Sequence, residues 1–567
     1  MKKIVYLIAA LGLGCGFVSC DLNLTPDTDV AGSDAAALIY VEGLRNGIYN
    51  QLTTVSGYDY MRYPEYYTDL FNETTNSGNR GGYFSRWLLN ATDQDVNEIW
   101  SNYYTVVASI NYAIMRAEQA AAKDPDNAEE LTFYKGELHL IRAYVFHQLA
   151  LRFCEDYEPD RAAVQLGIPT PTSYDPDAKH NRSTLEQTYR QILDDIAVAE
   201  EIVDTPGAAD SPYVTVDAIT ALKAQVALQM HRYDDAIGYA QSLYAAYPLI
   251  ADRSGMEKMW MQDTSTETIF QLSLASTTLP LVGNTTYDYT NGTWNTDGYF
   301  VYSPAYVPEQ WVCDLFDTEK DYRYGPCIGA SHIKEIDNGG NTAGWLLLKL
   351  TGNRNLFTSA SVLTYKNMPK IFRVAEMYLI EAEAQYRNNG DALTPLNALR
   401  AARGLDAVGS TGDALFKDIQ DESAREFIGE GRRLFDLKRW HRGIARDGQT
   451  ACEKLLSGGT SVYELTVDAS NSKWVWPIPQ EELHNNSNFG DQNNGYLSRE
   501  DSSRNPLFFC VLFPREGRST VADKLRSAQG CPAQRPVALL FEYYRPVTFW
   551  RPDPSPAPDP LRALFIY

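Results

Sequence analysis

The chain of 567 residues carries a formal net charge of −23. That excludes a nucleic-acid partner, since phosphate binding requires a basic face, and it excludes docking on anionic lipid through basic side chains. Hydrophobic residues at 44% support a packed core, and 37 tyrosines dominate the aromatic content.

Lys2 and Lys3 precede an apolar run from Ile4 to Val18. The run is shorter than the roughly 20 residues that span a bilayer and fits the core of a signal peptide. It ends Phe17-Val18-Ser19-Cys20, which resembles the lipobox of bacterial lipoproteins, with Phe17 where leucine is usual. Residues 1–19 are therefore expected to be removed, and Cys20 to become the acylated first residue. Cys154, Cys313, Cys327, Cys452, Cys510 and Cys531 form no CxxC pair and no zinc spacing.

Residues 20–247 read as the amino-terminal helical part. Helical periodicity is expected over 98–117, 136–153 and 185–203, the last begun by Ser183 or Thr184 with Glu186 or Gln187 behind it. Residues 217–247 read as a helical hairpin. Ala218, Ala221, Ala224 and Ala227 on one helix and Ala236 and Ala240 on the next allow close approach, as in a tetratricopeptide pair. From 248 to 369 the periodicity fades and Gly, Asn, Thr and Tyr rise, which predicts an irregular lobe. Helix is expected again over 371–387, 392–403 and 418–439, within a carboxy-terminal part running to 496. Residues 497–567 turn Arg- and Pro-rich and read as an appendage outside the fold.

Several blocks, in order, resemble the SusD/RagB family of outer-membrane lipoproteins. They are Arg373 to Ala384 (RVAEMYLIEAEA), Leu396 to Gly404 (LNALRAARG), Glu422 to Trp440 (ESAREFIGEGRRLFDLKRW), Trp476-Pro-Ile-Pro479, and Gln492 to Tyr496 (QNNGY). Upstream, Trp100, Tyr104, Asn111 and Ile141-Arg142-Ala143 fit the amino-terminal half; Phe153-Cys154 stands where Tyr-Gly is common. The resemblance implies a mainly α fold: a scaffold of tetratricopeptide-like helical pairs with an irregular, loop-rich ligand lobe. It also implies a surface-exposed, lipid-anchored outer-membrane protein that binds oligosaccharide, or peptide as in RagB-like members. Its partner would be a SusC-like TonB-dependent transporter. A protein-binding adaptor built on the same helical pairs is the competing reading.

The motif charges Arg373, Glu376, Arg425, Glu426, Glu430, Arg432 and Arg433 lie on apolar helices and are expected to pair inside the scaffold. Gly429 and Gly431 are expected to serve close packing. No HExxH, GxSxG or GxxxxGK[ST] occurs. His139 and His147, eight apart on one helix, read as satisfied or surface histidines. No catalytic residue, metal ligand or cofactor is therefore assigned, and the chain reads as a binding protein rather than an enzyme.

A glycan needs aromatic faces for its CH surfaces and amides or charges for its hydroxyls. Two loops offer both. Residues 72–87 supply Asn79, Tyr83, Phe84 and Trp87, and residues 287–302 supply Tyr287, Tyr289, Trp294 and Tyr299. Each exposed ring would contribute about 1–2 kcal/mol through the apolar area it covers. Tyr58, Tyr60, Tyr63, Tyr66 and Tyr67 crowd the start of a helix and read as packing.

Overall fold

The computed structural model describes residues 34–57, 59–274, 287–294, 296–298, 300–334, 341–356, 366–457 and 463–496. The expected signal peptide, Cys20, Tyr58, Tyr299, the tail 497–567 and the side chains of Tyr287 and Trp294 lie outside the described residues.

Helices build the frame. They are α1 (Asp34–Val55), α2 (Asp59–Tyr66), α3 (Gln94–Ala121), α4 (Ala128–Phe153), α5 (Leu185–Ile202), α6 (Val216–Gln229), α7 (Tyr233–Ser242) and α8 (Arg253–Met261). After the irregular lobe follow α9 (Val374–Arg387), α10 (Leu393–Ala402), α11 (Asp413–Phe427) and α12 (Arg433–Arg439). Neighbours pack in pairs: α3 on α4, α4 on α5, α6 on α7, and α7 on α9. Small residues set the spacing. A side chain at Gly136 of α4 would meet Ile202 at 2.7 Å, and Ala218, Ala221, Ala224, Ala236 and Ala240 are all fully buried. At the start of α5, Thr184 and Gln187 satisfy one another's backbone amides as a capping box.

Between α8 and α9 the chain is not wholly irregular. Strands β3 (Gly292–Trp294), β4 (Phe300–Tyr302), β6 (Ile328–Lys334) and β7 (Asn341–Leu347) form a four-stranded sheet in the order β3-β4-β6-β7. The β6–β7 pair runs antiparallel from Ile328↔Leu347 to Lys334↔Asn341. Two further pairs tie the lobe to the frame: β1 (Phe71–Glu73) with β5 (Tyr306–Pro308), and β2 (Thr268–Gln271) with β8 (Lys370–Arg373). The helix expected from 371 therefore begins three residues later, because backbone pairing with β2 claims Lys370–Arg373 first.

The helix expected over 418–439 is broken at Ile428–Arg432. Gly429 and Gly431 take left-handed φ of 82° and 78°, and added side chains would meet Leu347 and the Met61 backbone at 2.5 and 2.6 Å. These glycines do pack closely, but in a turn between two helices. Glu65 caps that turn, accepting from the amides of Gly431 (2.6 Å) and Arg432 (3.1 Å).

The motif charges are paired in the interior. Glu426 accepts from Arg373 (2.8 Å), Arg403 (2.9 Å) and Arg323 (3.0 Å). Glu267 takes the other side of Arg403, Asp321 and Glu422 hold Arg323, and Glu430 binds Arg373 and Lys349. Arg425 pairs with Glu422, Arg432 with Glu376, and Arg433 with Asp69. Burial alone would raise the Glu426 carboxyl, but Arg403 and Arg373 outweigh it and hold it well below the usual carboxylate range. In the amino-terminal half, Arg142 forks onto Asp195 and reaches Asn111, and His139 also meets Asp195.

Replacing Glu426 by Gln leaves three buried guanidiniums short of their shared anion. Urea unfolding should lose about 3–5 kcal/mol, and a loss below about 1 kcal/mol would contradict this role. His147 makes a second prediction. Burial, then the nearby charges of Arg432, Arg152 and Arg439, lower its imidazole to about 3. The unfolded chain binds that proton near pH 6.5. His147 thus adds stability that is whole above that value and is lost as pH falls towards 3. Between pH 7 and 5 the native chain should lose about 2 kcal/mol more than a His147→Gln variant. Equal pH slopes would refute the assignment.

Candidate functional site

The first candidate loop is tightly turned. After β1, Thr74 caps a short turn at Thr75–Ser77 by accepting from Asn76, and Gly78, Asn79 and Gly81 all take left-handed φ, at 58°, 68° and 67°. A side chain at Gly81 would strike the Tyr66 ring at 2.7 Å. The loop closes around Glu73. That buried carboxylate accepts from Ser77 (2.6 Å), Ser85 (2.9 Å) and both Nε (3.0 Å) and Nη2 (2.7 Å) of Arg86. Arg86 then donates to the Asn79 side-chain oxygen at 3.1 Å. One anion thus fixes residues 77–86.

The second loop joins the first. Asp288, buried, accepts from Tyr66 (3.0 Å), pairs with Arg62, and meets Arg80 of the first loop at 3.2 Å. The Tyr306 hydroxyl donates to the Arg80 carbonyl at 2.6 Å, and Thr74 donates to the carbonyls of Pro304 and Ala305. The β1–β5 pairing completes the seam, from Phe71↔Pro308 to Glu73↔Tyr306. Two segments more than 200 residues apart in sequence therefore share one surface.

Among the described residues, the predicted rings divide between that surface and the core. Tyr83 is 49% exposed, and Asn79 and Arg80 are exposed beside it in the loop. Phe84 and Trp87 are buried, contrary to the expectation of exposed rings. Phe84 stacks on Tyr63 with centroids 4.2 Å apart. Trp87 stacks on Tyr67 at 4.0 Å, stands edge-on to Trp474, and donates its indole N–H to the Tyr67 carbonyl. Tyr289 is also buried, against Phe71 and Tyr66. The physical reason is α2 and the residue after it. Tyr63, Tyr66 and Tyr67 sit three and four apart, so they present one aromatic face that needs covering rings. Tyr60, Tyr63, Tyr66 and Tyr67 are all core residues, as expected. In the second loop the β3–β4 hairpin presents Thr293, Thr296 and Asp297 to solvent.

Sequence reasoning missed Glu73, Arg80, Arg86 and Asp288, which hold the surface. Glu73 and Arg86 lie thirteen apart in a loop without periodicity, and Arg80 meets Asp288 only in the folded chain. Chemically the loop offers an exposed ring, an amide and a guanidinium, which suits hydroxyl-bearing or amide-bearing ligands. Its two buried carboxylates are both committed to arginines. A rival hollow of about 530 Å³ lies between half-buried Trp311, Arg433 and the β9–β10 pair (Ile444–Ala445 and Thr466–Val467). There Arg433 is held by Asp69, and the Trp311 indole donates to the Asp69 carbonyl.

Two family profiles match separate stretches of the chain. One, described as "SusD family", covers residues 289–496. The other, described as "Starch-binding associating with outer membrane", covers residues 22–228. "Starch-binding protein SusD" of Bacteroides thetaiotaomicron is 33% identical over 171 residues, a match spanning 30% of this chain and 29% of that relative. Among solved structures, a SusD superfamily protein from Bacteroides thetaiotaomicron aligns with TM-score 0.67 at 23% identity, over 80% of this chain and 99% of its own. A putative sugar binding protein from Bacteroides vulgatus aligns with TM-score 0.64 at 22% identity, over 81% and 99%. At these identities the structures establish the shared fold.

The two ring classes should separate on mutation. Trp87→Ala should cost about 3–5 kcal/mol in unfolding free energy, as for other buried large rings, whereas Tyr83→Ala should leave the urea midpoint unchanged. A stable Trp87→Ala variant would contradict the packing described.

Proposed function

Because the chain belongs to the SusD family, we propose that it is a surface lipoprotein that captures oligosaccharides and passes them to a TonB-dependent outer-membrane transporter. The observation that carries the capture step is the exposed Tyr83 ring on the same loop as exposed Asn79 and Arg80, a loop fixed by the Glu73–Arg86 and Arg80–Asp288 pairs. A rigid ring loses little conformational freedom when a sugar settles on it, so most of the apolar contact remains as affinity. The arginines and the amide then hold hydroxyls at the rim of that contact.

No helix among the described residues is long and apolar enough to cross a membrane. In this reading the acyl chains on Cys20 hold the protein at the outer membrane. Peptide is the alternative cargo, and the competing adaptor reading would place its contacts on helix faces instead.

An α-glucan oligosaccharide is the first probe, since a relative is described as starch-binding. Calorimetric titration of the whole chain should give saturable binding, weakened at least fivefold in Tyr83→Ala with unchanged thermal unfolding. If no member of a glycan panel binds while a peptide panel does, the carbohydrate reading falls. If a glycan binds and Tyr83→Ala keeps full affinity, the site falls.

A further inference from the structure

A second site lies away from the capture surface, where the segment after α4 meets the ends of α6 and α12. Asp156 follows α4, and its side chain is 5% exposed. One oxygen, Oδ1, accepts from the Gln229 amide at 2.5 Å. The other, Oδ2, has no hydrogen-bond partner. A buried carboxylate oxygen in that state forfeits its hydration without replacement. The neighbouring Lys438 does not relieve it. The Lys438 ammonium is spent on the carbonyls of Leu151 (2.6 Å) and Cys154 (2.7 Å).

What does face Oδ2 is a set of metal-ligand atoms. The Nε2 atoms of His231 and His441 stand 3.7 and 3.8 Å from it, too far for hydrogen bonds. Nε2 of His441 lies 3.0 Å from a Glu158 oxygen. One donor atom each from Asp156, Glu158 and His441 falls within 4.8 Å of the others. Donors held about 2.0–2.2 Å from a tetrahedral zinc are themselves roughly 3.4 Å apart, so the observed spacings need only small side-chain movements.

We propose that Asp156, Glu158 and His441, with His231 beside them, form a binding site for a divalent first-row transition metal of the zinc class. Mixed imidazole and carboxylate donors favour such an ion over calcium or magnesium, which take oxygen alone. The dication supplies the charge that Asp156 Oδ2 lacks. Asp156, Glu158 and His441 also line an open hollow of about 380 Å³, so a water or ligand atom can complete the coordination. Asp156 and Glu158 come from the amino-terminal half and His441 from the carboxy-terminal half, so the ion clamps α4 and α6 to the end of α12. His231 and His441 each follow a helix C-cap and lie 210 residues apart in sequence, which is why no spacing motif betrays the site.

The test is zinc chloride titrated calorimetrically into tag-free, chelator-stripped whole protein in a non-coordinating buffer at pH 7. One saturable site of micromolar or tighter affinity is expected. It should weaken at least tenfold in His441→Ala and in Glu158→Gln, and the thermal midpoint should rise with zinc in the native chain alone. The His441 side chain is 61% exposed, so its removal should leave the metal-free midpoint unchanged. Absence of saturable binding, or equal binding by native and His441→Ala proteins, would overturn the site and leave a cluster of histidine–carboxylate ion pairs.

Discussion

Glu426 is the group on which the rest of the structure depends. It is buried and satisfies three guanidiniums that arrive from separate parts of the chain: Arg323 from the lobe, Arg373 from β8 and Arg403 from the end of α10. Such a cluster adds little net stability compared with an apolar core of the same shape. Its value is specificity. Each charge is so costly to leave unpaired that only one placement of the lobe against α9–α12 balances them all. Lys349 and Arg373 share Glu430, and both stand over the Trp260 ring, which brings α8 into the same arrangement.

With the lobe held there, a second and aromatic constraint sets the surface proposed for capture. Tyr63, Tyr66 and Tyr67 offer their rings to Phe84, Tyr306 and Trp87. Trp476, from the carboxy-terminal motif, closes the stack on Phe84 and Phe153. The closing block locks this corner further: Asn493 donates to the carbonyls of Phe153 and Trp476, and Gln492 bonds both polar groups of Ile478. Phe84, Trp87 and Tyr289, which look like ligand platforms in the sequence, are thus part of the packed floor, and Tyr83 stands outside it.

The scaffold was legible where local rules decide. Thr184 with Gln187, the alanine ladder of α6 and α7, and the paired motif charges all follow from spacing and composition. Legibility failed where partners distant in sequence decide. Residues 371–373 read as helix until β2 claims their backbone, and 428–432 reads as helix until Met61 and Leu347 demand glycine in a turn. A ring in a polar loop reads as exposed, because nothing in residues 72–87 announces that Tyr63 and Tyr67 will cover Phe84 and Trp87. Arg80 and Asp288 carry no signal at all until the chain folds.

In the proposed function a loop tied by Glu73 and Asp288 presents Tyr83 to a passing glycan. Hydrogen–deuterium exchange with and without a bound oligosaccharide tests it most directly. The account predicts new protection confined to residues 75–90 and the adjoining 288–306. Protection instead around Trp311 and the β9–β10 pair, with the Tyr83 loop unchanged, would contradict it.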